Sequence, residues 1–254
     1  MATVRAFDSD DYLPDYSLLV LQDPSVGWPD EEPVIPHHRD RGDSPNGTFA
    51  GSGAGWITAE APDLAAHVIR LELHDTEPAG AGGEFDDVLE TPYRSSSGGI
   101  SLAWVTDGPG DQVDLVLGDA EWFRVRIARR GDESANRFHW LLRFWPEPLI
   151  TPPVWVARGR DTRNRPASLA QDVESIVRWT PRPPFETTMT ELGQRLLVGE
   201  AELRAGLEFA QEEGLVHAES AADAGGSSDS ARDGGNGSDA GGGPLRLWLG
   251  DRAG

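Results

Sequence analysis

The sequence predicts an α+β multidomain chain. An antiparallel β-sandwich fills about residues 10–150, and a small α/β module fills about 168–250. A Pro/Arg-rich linker at 151–167 joins them. Three observations predict this. Seven or eight short apolar or alternating segments, separated by turn residues, occupy the first 150 residues. Helical periodicity appears only after residue 168. Nine Trp compensate for a hydrophobic content of only 38%, so the core is small and aromatic-rich.

The strands follow in order. Tyr16-Ser-Leu-Leu-Val-Leu21 is an apolar run ended by Asp23-Pro24. Residues 24–55 hold five Pro and six Gly and read as a long surface loop. Trp56–Glu60 is a strand. In Ala66–Leu73, His67, Ile69, Leu71 and Leu73 alternate with Val68, Arg70 and Glu72, the period of a half-buried strand. Pro78–Gly83 is a turn. Further strands are read at 85–92, 99–105, 112–117 and 121–129. In the last, Phe123, Val125 and Ile127 face the core while Arg124 and Arg126 face out. Phe138–Trp145 is the most aromatic strand, closed by Pro146-Glu-Pro148.

Beyond the linker, Ser168 is read as the cap of a helix over 169–179, with Leu169, Val173, Ile176 and Val177 on one face. Pro181-Arg-Pro-Pro184 breaks it. Thr190 opens a second helix that runs to about Leu197, and Gly199 makes a turn. Residues 200–213 form a third helix with Gly214 as its C-terminal stop. Leu215–Glu219 and Pro244–Leu249 are strands around a Gly/Ser/Asp/Ala-rich stretch, 220–243, read as disordered. This order of elements, carried by the run from Thr190 to Val216, resembles a winged helix-turn-helix, with Leu196, Leu203, Leu207, Phe209 and Trp248 in its core.

Charge is segregated along the chain. Residues 1–120 carry 23 acidic residues against 5 Arg; residues 121–182 carry 12 Arg against 7 acids; residues 183–254 carry 13 acids against 5 Arg. The net charge is −21, and all 22 basic residues are Arg. Such a charge repels phosphates and anionic lipids and attracts basic partners. The missing Lys fits the codon usage of a high-GC bacterium; salt adaptation is the other source of such acidity. Zero Cys excludes disulfides, thiolate metal sites and Cys nucleophiles. No signal-peptide or membrane-spanning run is read, so the expected compartment is the cytoplasm.

The positive segment supplies the interaction candidates Arg124, Arg126, Arg158, Arg160, Arg163 and Arg165, with Trp155 beside them. Clustered guanidinium groups bind phosphates in bidentate fashion and an indole stacks on bases. The competing reading closes this seam on the protein's own acids. If the winged-helix resemblance implies DNA binding, the contacts fall to Gln194, Arg195, Arg204 and Gln211. The helix that enters the groove in such a protein carries Glu200, Glu202, Glu208, Glu212 and Glu213 here, which argues against DNA.

No nucleophile–base set, phosphate loop or strong metal set is present in the pattern. His37-His38 with Asp40, and His74-Asp75, are the nearest approaches to a metal or hydrolase site. Gly51-Ser-Gly-Ala-Gly55 lacks the Lys-Ser/Thr of a phosphate loop. No catalytic residue, metal or cofactor is therefore expected.

Residues 10–145 resemble the competence nuclease-inhibitor family of small β-sandwich proteins. The likeness rests on Tyr16–Asp23, Trp28-Pro-Asp-Glu31, Thr48-Phe-Ala50 before Trp56-Ile57, and Gly118-Asp-Ala-Glu-Trp-Phe-Arg-Val-Arg126. It implies a non-catalytic acidic protein, regulatory or inhibitory, that occupies the cationic surface of a protein partner. The alternative is a winged-helix transcription regulator with a β-sandwich sensor domain.

Overall fold

The structure, a computed structural model, describes residues 3–27, 49–62, 64–80, 83–110, 112–159, 166–220 and 244–250. Twelve strands come first: β1 (Thr3–Tyr12), β2 (Leu18–Gln22), β3 (Ala50–Gly53), β4 (Trp56–Glu60), β5 (Ala66–His74), β6 (Asp87–Arg94), β7 (Gly99–Trp104), β8 (Gly108–Pro109), β9 (Leu115–Val116), β10 (Trp122–Asp132), β11 (Arg137–Pro146) and β12 (Val154–Ala157). Then follow α1 (Pro166–Arg178), β13 (Phe185–Thr187), α2 (Met189–Leu196), α3 (Glu200–Glu212), β14 (Val216–Ser220) and β15 (Leu245–Leu249).

One sheet has the order β1-β5-β11-β10-β6-β12; a second runs β3-β4-β2-β7-β8, with β9 also paired to β7. The alternation read in β5 and β10 holds. Ile69, Leu71, Val125 and Ile127 meet Leu19, Leu21, Ile57 and Ile100 of the other sheet in one continuous core. The expectation of a wholly antiparallel arrangement fails at one pair: β5 and β11 run parallel. The long excursion through β6–β10 that separates them makes a same-sense return possible.

Four of the first twelve strands lie where none was expected, the two-residue β8 among them. β1 precedes the predicted start of the sheets, because its Asp8, Ser9 and Asp10 dilute the apolar alternation. β3 lies in the Gly-rich loop, where Ala50–Gly53 is buried throughout. β12 lies in the predicted linker and closes an edge of the first sheet by pairing with β6. Of the strand read over 112–117, only Leu115–Val116 is ladder.

Polar links join the sheets. Ser52 Oγ shares a 2.7 Å hydrogen bond with Thr91 Oγ1 and donates to Pro92 O at 2.6 Å. The Tyr12 hydroxyl of β1 donates to Ala103 O of β7 at 2.8 Å. Asp23, at the end of β2, gathers the Ser95–Ser97 turn. Its Oδ2 accepts from Ser96 N (2.7 Å), Ser97 N (2.8 Å) and Ser95 Oγ (3.2 Å), while Oδ1 accepts from Ser25 N and Oγ.

The three helices pack with the antiparallel sheet β13-β15-β14. α1 starts at Pro166, and Ser168 is buried within it rather than capping it. α2 opens one residue before the expected Thr190. Thr188 Oγ1 accepts from Glu191 N, and the Glu191 side chain accepts from Thr188 N, a reciprocal cap. Gly214, at φ +64°, ends α3 in the left-handed region. At Gly206 a Cβ would lie 2.5 Å from Leu169 Cβ, so glycine is what lets α1 and α3 approach. In β15 the fully buried residue is Leu247; Trp248, expected in the core, is only half-buried. Val173, Ile176, Leu192, Leu203 and Leu247 belong to the same continuous core as the sheets. Of the stretch 220–243 read as disordered, Ser220 ends β14 and residues 221–243 lie outside the described residues.

Burial pushes the Asp23 carboxyl up, but the hydrogen bonds from Ser97 and Ser25 outweigh it and bring the pKa from 3.8 down to about 2. A carboxylate more acidic in the folded chain stabilises the fold above pH 4, and that contribution is lost as pH falls toward 2. Asp23→Asn is therefore expected to cost about 2 kcal/mol at pH 7. Urea denaturation at stepped pH checks it: the deficit should shrink between pH 4 and pH 2.

Candidate functional site: buried arginines and a carboxylate surface

Strand register aligns Glu72 of β5 with Arg143 of β11, Arg143 with Arg126 of β10, and Arg126 with Glu90 of β6. These four form a charged row across the outer face of the first sheet. Arg143 Nε lies 3.2 Å from Glu72 Oε2, and Arg126 Nη2 lies 2.6 Å from Glu90 Oε1. The turn at 78–80 covers the row: Arg126 Nη1 donates to Pro78 O and Gly80 O, both at 2.9 Å. Arg126 also lies over the Trp145 ring. Arg124 is 3.5 Å from Glu90 Oε2 and donates to Thr151 O and Pro152 O; burial draws its pKa down. Arg129 pairs with Asp87 at 2.7 Å and lies 4.7 Å from the Phe49 ring centroid.

At the end of β12, Arg158 has a side chain fully removed from solvent. It pairs with Asp172 of α1 at 2.8 Å and donates to Leu196 O of α2 at 3.0 Å. Its guanidinium carbon sits 4.3 Å from the Trp155 ring centroid. Arg195 of α2 reaches back to the sheet side, donating to Pro152 O and Pro153 O at 3.0 and 3.1 Å. Burial lowers its pKa too.

The residues singled out in the sequence thus separate into three groups. Arg124, Arg126, Arg158 and Trp155 lie inside, with each guanidinium engaged by the protein's own carboxylates and carbonyls. Arg160, Arg163 and Arg165 lie outside the described residues. Of the DNA-contact set, Arg195 is engaged at the sheet–helix junction, while Gln194, Arg204 and Gln211 are exposed. Arg204 is paired with Glu200 of its own helix at 2.7 Å.

Of the pair His74-Asp75 that hinted at catalysis, His74 is buried and Asp75 is exposed. His74 Nε2 lies 3.0 Å from Glu72 Oε2, the carboxylate that Arg70 and Arg143 also hold. Burial raises the Glu72 pKa, but the hydrogen bonds from Arg70 and His74 and the nearby arginine charges outweigh it and keep the group below its ordinary value. His67 Nδ1 accepts from Trp140 Nε1 at 2.9 Å, which leaves Nε2 to donate to Pro62 O. Among the described residues no three His, Cys, Asp or Glu converge as metal ligands. His37, His38 and Asp40 lie outside them.

The solvent face of α3 is acidic. Glu200, Glu202, Glu208, Glu212 and Glu213 are all exposed on or just beyond α3. A cleft that sequence reasoning missed opens between β1 and β7. Its volume is about 340 Å³, and Phe7, Ser9, Tyr12, Leu102, Trp104, Gly110, Gln112 and Asp114 line it. Burial raises the Asp114 carboxyl pKa despite a hydrogen bond from Leu102 N. Two segments far apart in sequence, 7–12 and 102–114, supply the lining of this cleft, so no local motif announces it.

Fold and surface together define a strand-rich acidic chain whose buried charge is organised as ion pairs. No protein-family model matches it, and no curated protein matches it. Among solved structures, ComJ from Bacillus subtilis, an inhibitor of the DNA-degrading activity of NucA, is similar with a TM-score of 0.40 at 10% identity, over 57% of this chain and 98% of that one. The product of crocagin biosynthetic gene J is similar with a TM-score of 0.38 at 13% identity, over 58% and 99%. Both likenesses are remote.

Removing one member of a buried ion pair leaves the other uncompensated. Arg158→Met is expected to cost about 3 kcal/mol or more, and Arg158→Met with Asp172→Leu distinctly less than the sum of the two single changes. Equilibrium unfolding of the four proteins in the double-mutant cycle measures both.

Proposed function

We propose that this chain is a non-catalytic interaction protein, regulatory or inhibitory, that binds a basic protein partner through its carboxylate surface. The reading takes the two sheets as a β-sandwich scaffold. The helix–strand–helix–helix–strand–strand unit is taken as a winged-helix-like module used for protein contact. One observation carries it: five arginines of the positive segment turn inward, while Arg137, Arg178 and Arg182 stay exposed. Arg124, Arg126, Arg129, Arg143 and Arg158 neutralise the protein's own acids, so they do not offset the surplus carboxylates outside. A surface of that sign steers a cationic partner and repels nucleic acid.

The exposed face of α3 supports the same choice over DNA recognition. A groove-entering helix needs cations toward phosphates. This one offers five glutamates, and its one arginine is already paired. The resemblance read from Tyr16–Asp23 and Gly118–Arg126 points toward inhibition by occupation of a cationic surface.

Affinity isolation of the tagged chain from its native host is expected to recover one stoichiometric basic protein. The complex should weaken with salt and with Glu208→Arg plus Glu212→Arg. A gel shift at low salt with genomic fragments should show no retardation. Sequence-selective retardation that is lost in Arg204→Glu would replace this reading with the regulator.

A further inference from the structure

The cleft between β1 and β7 has the chemistry of a cation receptor. Its walls are aromatic: Phe7 and Trp104 are only partly buried, and Trp104 stacks on Tyr12 with ring centroids 5.5 Å apart and planes 25° from parallel. Both walls are held. The Trp104 Nε1–H donates to Leu13 O at 2.9 Å. The Tyr12 hydroxyl donates to Ala103 O and accepts from Val20 N, and burial keeps it neutral by raising its pKa well above the ordinary range. The third wall is Asp114. One of its oxygens accepts from Leu102 N at 2.8 Å; the other takes no hydrogen bond among the described residues. Arg5, on the same face of β1 as Phe7, donates to Val116 O at 2.8 Å. It is therefore engaged with backbone.

The rim is built for contact. Leu13 is 63% exposed and Tyr16 44% exposed. Tyr16 and Ser17 sit at φ 54° and 57°, a left-handed pair that ordinarily calls for glycine or asparagine. Asp15 fixes that turn to β7, accepting from Val105 N at 2.9 Å and from Thr106 N and Oγ1 at 3.0 Å.

We propose that this cleft receives an arginine side chain of the protein partner, the guanidinium lying against the Trp104 and Phe7 rings and bonding Asp114. Aromatic faces attract cations, and a half-buried carboxylate offers the planar, two-oxygen acceptor that guanidinium fits. A volume of about 340 Å³ admits one side chain rather than a folded segment. The inference rests on the partner reading given above and names the pocket that anchors the partner.

The probe is Nα-acetyl-arginine amide, titrated into the full chain labelled with ¹⁵N, with Trp104→Phe used to assign the Trp104 indole signal. Saturable shifts at the Trp104 indole and the Leu102 amide are expected. In Asp114→Asn, whose amide oxygen still accepts from Leu102 N, affinity should fall about tenfold. Nα-acetyl-norleucine amide should produce no such shifts. Equal shifts with the norleucine amide would overturn the proposal in favour of an apolar slot. Tighter binding of free agmatine than of the arginine amide would overturn it in favour of a small-molecule amine site. A partner complex that forms and is unchanged by Asp114→Asn and Trp104→Phe overturns the pocket and leaves the partner reading standing. Arginine amide binding with no recoverable protein partner defeats the partner reading, and with it this assignment of the occupant.

Discussion

Arg158 is the point where the sheets and the helices become one folded unit. Its charge lies wholly out of solvent, 2.8 Å from Asp172 and 3.0 Å from a helix carbonyl, with an indole beneath it. Removing two charges from water costs several kcal/mol each, and only close pairing with further hydrogen bonds offsets that. The geometry is therefore exacting. Asp172 must come from α1, Leu196 O from the end of α2, and Trp155 from β12, all at once. Any relative shift of sheet and helices leaves a buried ion unmatched. Arg124 and Arg195 repeat the logic nearby by converging on the carbonyls of Thr151–Pro153. The Pro-rich segment between the two parts lacks some backbone donors by composition, and guanidinium groups use the carbonyls it leaves open.

The same economy explains the row Glu72–Arg143–Arg126–Glu90. Outward positions of an antiparallel strand normally meet water. Here a turn covers them, and the charges that would have been solvated become structural. Arg124, Arg126, Arg129, Arg143 and Arg158 are thereby held against the protein's own acids. Glu208, Glu212 and Glu213 stay exposed while Arg204 answers only Glu200.

Much of this was legible from sequence where a single element carries its own signal. β5 and the centre of β10 alternate, β11 is marked by its aromatic residues, and α3 shows its apolar stripe between Gly199 and Gly214. What escaped was set by tertiary context. In β1 the period-two positions are Arg5, Phe7 and Ser9, too polar to read as a core face. In β3 the residues are Ala, Gly, Ser and Gly, buried because a neighbouring sheet approaches closely. In β12 the four residues Val154–Ala157 sit among prolines, and pairing to β6 alone makes them a strand. Arg124 and Arg126, expected to face out, are buried on the outer face of their sheet, Arg126 under the turn at 78–80 and Arg124 under Thr151 and Pro152; those covering segments are distant in sequence. The cleft was hidden for the same reason: Phe7, Trp104 and Asp114 share no local pattern.

Acidic charge and an aromatic cleft solve different halves of recognition. Dispersed carboxylates raise the encounter rate with any cation, but their field is screened within about 10 Å at moderate salt and selects little. Selectivity comes from a desolvated contact at the centre of an interface, where aromatic and arginine side chains dominate the energy. On this chain the field and the cleft lie on the same molecule, but the cleft is the part with fixed geometry: Tyr12 locked to β7, Trp104 locked to Leu13, Asp114 locked to Leu102.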